Sequence, residues 1–240
     1  MNRKIAMVAL AVLLSFVAAA GISAPADKPV ELTADTIEYD AATGVMSAQG
    51  AVRLTRGGAV LTGAAAQYNT KTKEALVSGG VKVVQEDATL TAAEVRSYQD
   101  NYLVATGGAL LAKGDSALAG PKIEYWADRQ YSLASSPARL TMPDGWLTAD
   151  RLEAFHGEDR AIARGDVHIV SDKRNLDATA DQAVYYGGAK TGVQGKVVLS
   201  GNARAVQDGN ILTGKTLTIY LDDKAMDAQG RSKLVVKPRE

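Results

Sequence analysis

The sequence predicts an all-β protein of two facing antiparallel sheets, built from about seven repeats of about 29 residues. Three observations carry that expectation. A short phrase recurs along the chain: "LTADTIEYD" from Leu32, "LTGAAAQYN" from Leu61, "LAGPKIEYW" from Leu118, "LTADRLEAF" from Leu147 and "ATADQAVYY" from Ala178. Between recurrences, apolar and polar residues alternate with a period of two, as in "AVRLTR", "GVKVVQ" and "DVHIVS". That period marks strands with one buried and one wet face. Turn residues punctuate the chain too often to leave room for long helices.

Taken in order, the first element is residues 1–26. Arg3 and Lys4 precede an apolar run from Ile5 to about Val17, and small residues end at Ala24-Pro25-Ala26. This is the pattern of a cleaved secretory signal. The run Ile5 to Ile22 is also nearly long enough for a retained membrane anchor, although its alanine-rich end favours cleavage. Residues 27–240 follow as a single domain, since no Pro/Ser-rich linker interrupts them.

The repeats begin at Leu32, Leu61, Leu90, Leu118, Leu147, Ala178 and Leu212, at spacings of 29, 29, 28, 29, 31 and 34 residues. Each has a first segment, a polar turn, a second segment and another turn. "DAATG", "NTKTK", "PDG" and "QDGN" are turns for physical reasons: Gly accepts positive φ, and Asn and Asp bond their own backbone. The sixth repeat is stretched, and "TGVQGKVVLSGN" (191–202) reads as a longer hairpin or an added strand.

Alternation assigns the faces. Val52, Leu54, Val81, Val83, Leu110, Leu140, Val167 and Ile169 point inward from the second segments, joined by Ile37, Ile123, Leu152 and Leu217 from the first. Such a lining can close as a core or stay partly open as an apolar trough. Parity slips within the first segments, where Leu32 and Ala34 share a face and then Ile37 and Tyr39 do. A bulge near Asp35–Thr36 would reconcile them.

Three columns recur. Gly50, Gly79, Gly108, Gly165, Gly201 and Gly230 share one repeat position, with Ser136 the exception. Glycine weakens a strand interior, so this column predicts a sharp bend from one sheet to the other. Arg53, Lys82, Arg139, His168, Arg204 and Lys233 form an outward cationic column broken by Leu111. It reads as a solvated, aggregation-resistant face or as a stripe that meets anionic groups. Tyr39, Tyr68, Tyr125 and Tyr185 end the first segments, where each would close a sheet edge with its hydroxyl in water.

Composition narrows the function. The 27 basic and 27 acidic residues cancel, which argues against a nucleic-acid binder. There is no cysteine, hence no disulfide and no thiolate chemistry. HExxH, Walker A and nucleophile-elbow motifs are missing. His156 and His168 lack metal-pair spacing, and Asp35, Asp150 and Asp181 recur as turn or capping residues would. The expectation is a non-enzyme without cofactor or metal.

The segment "LTADTIEYDAATGVMSAQGAVRLTRGGAVLTGAAAQYN" resembles the OstA-like family of lipopolysaccharide-transport modules: an apolar-Thr-Ala-Asp strand, a turn and an x-G-x-V-x-[LV] strand, repeated over about residues 30–236. The resemblance implies a twisted, open β-jelly roll whose apolar groove holds the acyl chains of lipid A. It implies a periplasmic bridge of copies stacked end to end, meeting inner- and outer-membrane components of the same fold. The groove would be the inward set named above. The free edges would come from Leu32, Ile37 and Tyr39 at one end, and from Leu217, Ile219, Leu221, Leu234 and Val236 at the other. Arg53, Lys82, Arg139, Arg204 and Lys233 would be the stripe available to anionic groups. An inner-membrane-anchored relative and a structural β-repeat protein that binds no lipid are the alternatives.

Overall fold

The computed structural model describes residues 31–237 except 57, 86, 100–101, 127, 156, 188–193 and 222–224. The signal-peptide reading and His156 lie outside the described residues. The strands are β1 (Glu31–Thr33), β2 (Thr36–Asp40), β3 (Val45–Arg56), β4 (Ala59–Asn69), β5 (Glu74–Gln85), β6 (Ala88–Tyr98), β7 (Tyr102–Lys113), β8 (Ser116–Trp126), β9 (Tyr131–Met142), β10 (Gly145–Phe155), β11 (Arg160–Ser171), β12 (Leu176–Tyr186), β13 (Lys196–Gln207), β14 (Asn210–Tyr220), β15 (Met226–Gln229) and β16 (Lys233–Val235). The fold is all-β, as the repeat predicts. Each strand pairs antiparallel with the next in one open sheet; β1 and β2 both pair with β3, and β15 and β16 both pair with β14.

The two facing walls are the two halves of this sheet. Each repeat does not place one strand in each wall; every long strand crosses both. The reason is a hinge in the middle of each strand. The strands β3, β5, β7, β9, β11 and β13 have 12 residues and β4, β6, β8, β10, β12 and β14 have 11. The extra residue is a bulge. Gly50–Ala51 on β3 lie opposite the single Ala64 on β4, since Gln49 pairs with Ala65 and Val52 with Gly63. Gly79–Gly80 lie opposite Ala93 in the same way, and Gly201–Asn202 opposite Lys215. Both bulge residues take positive φ, as at Gly50 (74°) and Ala51 (43°). Two successive left-handed residues fold the ribbon sharply, and the first must be Gly because a Cβ there would collide with the side chain across the ladder, Ala64 in the case of Gly79. On β7 that first residue is Gly107, one place before the Gly108 of the sequence column. On β9 Ser136–Pro137, joined by a cis peptide, stand at the hinge instead.

The hinge also explains the parity slip. One residue spent at the bend reverses the alternation, so Leu32 and Tyr39 both face inward although seven positions separate them. Asp35, Asp150 and Asp181 are the single residues opposite the bulges rather than turn caps; Ser136 Oγ donates to Asp150 Oδ1 at 3.2 Å, and Asn202 Nδ2 to Asp181 Oδ2 at 3.1 Å. The stretched sixth repeat is a longer hairpin, because β13 keeps its ordinary length and the extra residues fall in the β12–β13 connection.

Candidate functional site

Call the half of the sheet holding β1 and β16 the first wall, and the half holding β2 and β15 the second. On the first wall one inward row runs from Leu32 through Leu54, Leu61, Val83, Leu90 and Leu111 to Leu118, Leu140, Leu147 and Ile169, then through Ala178, Ala205 and Leu212 to Leu234. On the second wall the matching row starts at Ile37 and passes Ala48, Val77, Val95, Ile123, Leu152 and Leu199 to Leu217. The repeat starts of the sequence thus stand in line across the whole sheet.

Two packed clusters lie along the slot between the rows, and a less buried stretch of the first-wall row stands between them. From β4 to β9 the two walls share one packed core that includes Val83 and Ala105, both 0% exposed. From β10 to β14 they share a second, with Leu199 and Leu217 at 0%. Between the two cores Leu118, Leu140, Leu147, Leu152 and Ile169 face inward yet are only partly buried.

Most inward residues lie where alternation puts them. Val52, Val81, Val83, Ile123, Val167 and Leu217 are buried, and Leu54, Leu140, Leu152 and Ile169 half-buried. Ile37 is 50% exposed because it ends its row at the sheet's edge. Leu110 does not line the slot. With the bulge at Gly107 it falls in the outward row, 42% exposed, and Leu111 takes the inward place at 4%. Leu110 therefore interrupts the cationic column in place of Leu111. The tyrosine column points inward too, near the slot's second lip. Tyr125 is 5% exposed, and burial raises the hydroxyl pKa of Tyr125 and of Tyr185 above the ordinary tyrosine value.

At the sheet's last edge, Leu217 and Ile219 are not free, because β14 is covered by β15, with Leu217 paired to Ala228 and Ile219 to Met226. Leu221 lies just past β14, where its N–H donates to the Gly195 carbonyl. Leu234 and Val236 are 61% and 64% exposed on the final segment, and Leu32, Ile37 and Tyr39 lie on the first.

Outside the first wall, Arg53, Lys82, Arg139, His168, Arg204 and Lys233 occupy one ladder row. A threonine strand separates most neighbours: Thr62 pairs with Arg53 and Lys82, Thr148 with Arg139 and His168, Thr179 with His168 and Arg204. Cations on alternate strands stand roughly 9.6 Å apart, which relieves the repulsion that direct opposition would bring. Arg139 lies over the Trp146 ring at 4.3 Å, and His168 meets the ring edge and Asp177 Oδ2.

Outside the second wall is a feature the sequence reading missed. Tyr98, Tyr102, Trp126, Tyr131 and Phe155 are cross-strand neighbours in one row, with successive ring centroids 5.5, 4.7, 5.2 and 5.1 Å apart, and Arg160 lies 4.0 Å over Phe155. The signal was present: Tyr98/Tyr102 and Trp126/Tyr131 flank successive turns. Beneath the rings two carboxylates are buried. Glu124 accepts from the Tyr102 hydroxyl and pairs with Lys122 at 2.9 Å. Glu153 accepts from the Tyr131 hydroxyl at 2.9 Å and pairs with Arg151 at 3.0 Å and with Arg164. This outer seam spans β6 to β11 and ties those strands together from outside. Burial, then the bond to Glu124, raises the Tyr102 pKa. A raised folded-state pKa contributes stability that is complete below the unfolded value of 10.0 and is lost as pH climbs beyond it. Tyr102→Phe should cost about 1–2 kcal/mol at neutral pH and flatten the alkaline decline above pH 10 in urea titrations.

Among the described residues no group of three His, Asp or Glu is placed to hold a metal ion, and no helix is long and apolar enough to cross a membrane. Residues 61–225 match the family model described as LptA/(LptD N-terminal domain) LPS transport protein, and residues 16–86 match one described as lipopolysaccharide-assembly, LptC-related. No curated protein matches the chain. One solved structure, LptH, described as the LptA homologous periplasmic component of the conserved lipopolysaccharide transport device from Pseudomonas aeruginosa, is 14% identical, with the match covering 88% of this chain and 96% of that chain at a TM-score of 0.19.

Proposed function

The chain belongs to the LptA/(LptD N-terminal domain) family of LPS transport proteins, and we propose that it is a periplasmic carrier whose slot takes up the acyl chains of lipopolysaccharide and whose open sheet ends join copies into a bridge between the membranes. The observation that supports this most is that Leu118, Leu140, Leu147, Leu152 and Ile169 face the slot and stay only partly buried, while Val83, Leu90 and Leu111 in the same alternation are buried. A buried methylene contributes about 0.8 kcal/mol, so an acyl chain of a dozen carbons brings roughly 10 kcal/mol toward opening the walls. Opening costs least where aliphatic contacts are already incomplete. Binding of this kind is reversible and involves no bond making. The head group stays at the lips, in water, and the cationic row of Arg53, Lys82, Arg139, Arg204 and Lys233 remains available to anionic groups on the outside.

Photo-crosslinking amino acids at Leu147 and Ile169 in the full chain should label lipopolysaccharide, while the outward neighbours Thr148 and Val170 should not. Labelling of the outward pair alone would refute the slot. The match to the LptC-related model over residues 16–86 favours one rival, an anchored relative that passes lipid onward. N-terminal sequencing of the purified protein separates the two: a start near Gly21 or Asp27 supports the free carrier, and retention of residues 1–20 supports the anchor.

A further inference from the structure

The connection between β11 and β12 lies at the lip of the first wall, where Ser171 pairs with Leu176. Asp172–Arg174 form one 3-10 turn there, closed by Asn175 in the left-handed region (φ 49°, ψ 48°). The turn is held from both sides. The Asp172 N–H donates to the Asp144 carbonyl at 3.0 Å, and Lys173 Nζ lies 3.6 Å from Asp144 Oδ1. Opposite, the Asp208 N–H donates to the Asn175 carbonyl and Asn175 Nδ2 donates to Asp208 Oδ1, both at 3.2 Å. Gln207 is buried, and its Nε2 donates to the Arg174 carbonyl at 3.2 Å.

From this fixed base the Arg174 side chain crosses to the other wall. Its Nη2 donates to the Tyr220 carbonyl at 2.5 Å, 46 residues further along the chain. Tyr220 ends β14 at the lip of the second wall, where its ladder partner is Lys196. Close to each end of this bond in the chain stands an inward apolar residue, Leu176 on the first wall and Ile219 on the second. They are 5% and 2% exposed and belong to one packed cluster. The two lips are therefore joined across β12 to β14 by apolar contact and by a hydrogen bond. A lipid lying along Leu118, Leu140, Leu147, Leu152 and Ile169 has to part them before it moves toward the last strands.

We propose that Arg174 is a latch across the mouth of the slot, and that a phosphate on the lipid's own head group releases it by taking the guanidinium from the Tyr220 carbonyl. The proposal rests on the carrier reading above and names the residue that makes passage depend on the head group. The guanidinium is charged at every ordinary pH and presents its donors as a planar fork. A neutral carbonyl meets that fork with one oxygen. A phosphate meets it with two parallel bonds and an opposite charge. With the acyl chains in the slot the head group lies at the lips, so the anion arrives where Arg174 stands. An uncharged head group offers nothing that the Tyr220 carbonyl lacks. The latch then stays shut, and the acyl chains stay in the less buried stretch. Arg174 thus selects among lipids with equal chains by the charge of their heads.

Two photo-crosslinking positions in the full chain read the latch. Leu147 reports lipid in the less buried stretch. Val197, a partly buried residue whose ladder partner is Ile219, reports lipid beyond the latch. The probes are lipid A carrying its phosphates and the same lipid with the phosphates removed. In the otherwise unaltered protein both probes should label Leu147, and removal of the phosphates should lower labelling at Val197 by about tenfold or more. Arg174→Gln should let both probes label Val197 equally. Arg174→Lys keeps the charge and should restore the preference in part, which tells a latch from a merely loosened turn. Urea midpoints show which variants are folded, and if Arg174→Gln is not, Arg174→Lys and Gln207→Leu, which frees the turn without touching the guanidinium, should each narrow the preference. Inorganic phosphate added with the dephosphorylated lipid should not restore labelling at Val197. Restoration would place the releasing anion free in solution and overturn the coupling to the head group. Equal labelling of Val197 by both lipids in the unaltered protein, or an undiminished preference in Arg174→Gln, would overturn the latch while leaving the carrier intact. Failure of either lipid to label Leu147 would remove the carrier reading itself.

Discussion

Val83→Glu should unfold the protein, whereas Ile169→Glu should leave it folded and, on the proposed function, unable to hold lipid. The two residues share one inward row, so alternation alone treats them alike. Val83 is 0% exposed within the first packed core. A carboxylate there has no partner and no water, and the expected loss exceeds about 4 kcal/mol. That is most of the stability of an ordinary domain, about 5–15 kcal/mol. Ile169 is only half-buried, so its replacement reaches water and costs about 1 kcal/mol. Urea unfolding followed by circular dichroism reads the first difference. Lipopolysaccharide co-purification reads the second. If Val83→Glu folds normally, the walls near β5 are not packed as described; if Ile169→Glu still carries lipid, the less buried stretch around Ile169 is not the binding section.

Gly201→Val should be nearly as damaging, for a reason of backbone rather than burial. Gly201 has φ 74°, and a Cβ there would strike the side chain of Asp181. A β-branched residue in the left-handed region is a genuine outlier, and strain plus collision should cost about 3 kcal/mol or more. Gly108→Ala is the control. Its φ is 78°, but nothing lies within 4 Å of the added Cβ, so only the conformational penalty of about 1–2 kcal/mol applies. The urea midpoints of the two variants should therefore separate clearly. Equal midpoints would show that close approach across the hinge is not what reserves the first bulge position for glycine.

Much of this architecture can be read from particular residues. The leucines that open each repeat announced a straight inward row, and Leu32, Leu61, Leu90, Leu118, Leu147 and Leu212 all stand in it. The glycine column announced the bend, and the slip between Ala34 and Ile37 announced the parity reversal. What misled was a count of one. Aligning the third repeat on Gly108 instead of Gly107 exchanged Leu110 for Leu111, because a shift of one residue moves a side chain to the opposite face. The tyrosines keep the face of Ile37, as the parity reading has it; Tyr125 is buried because its strand lies within the sheet, whereas Tyr39 at the edge is 60% exposed. The aromatic seam went unseen because its members come from both sides of successive turns and align only when the ladder is built.

The amino-acid order alone determined the strands, the repeat and the inward stripe, since those follow from the period-two alternation of apolar residues and from glycines that tolerate positive φ. Tertiary structure decided that one hinged sheet forms both walls and that, along one inward row, Leu61, Val83, Leu90 and Leu111 are buried while Leu118, Leu140, Leu147 and Ile169 are only partly covered. These outcomes depend on which side chains meet across the slot and along the ladder, and residues far apart in the chain acquire those neighbours only when the sheet folds along its bulges.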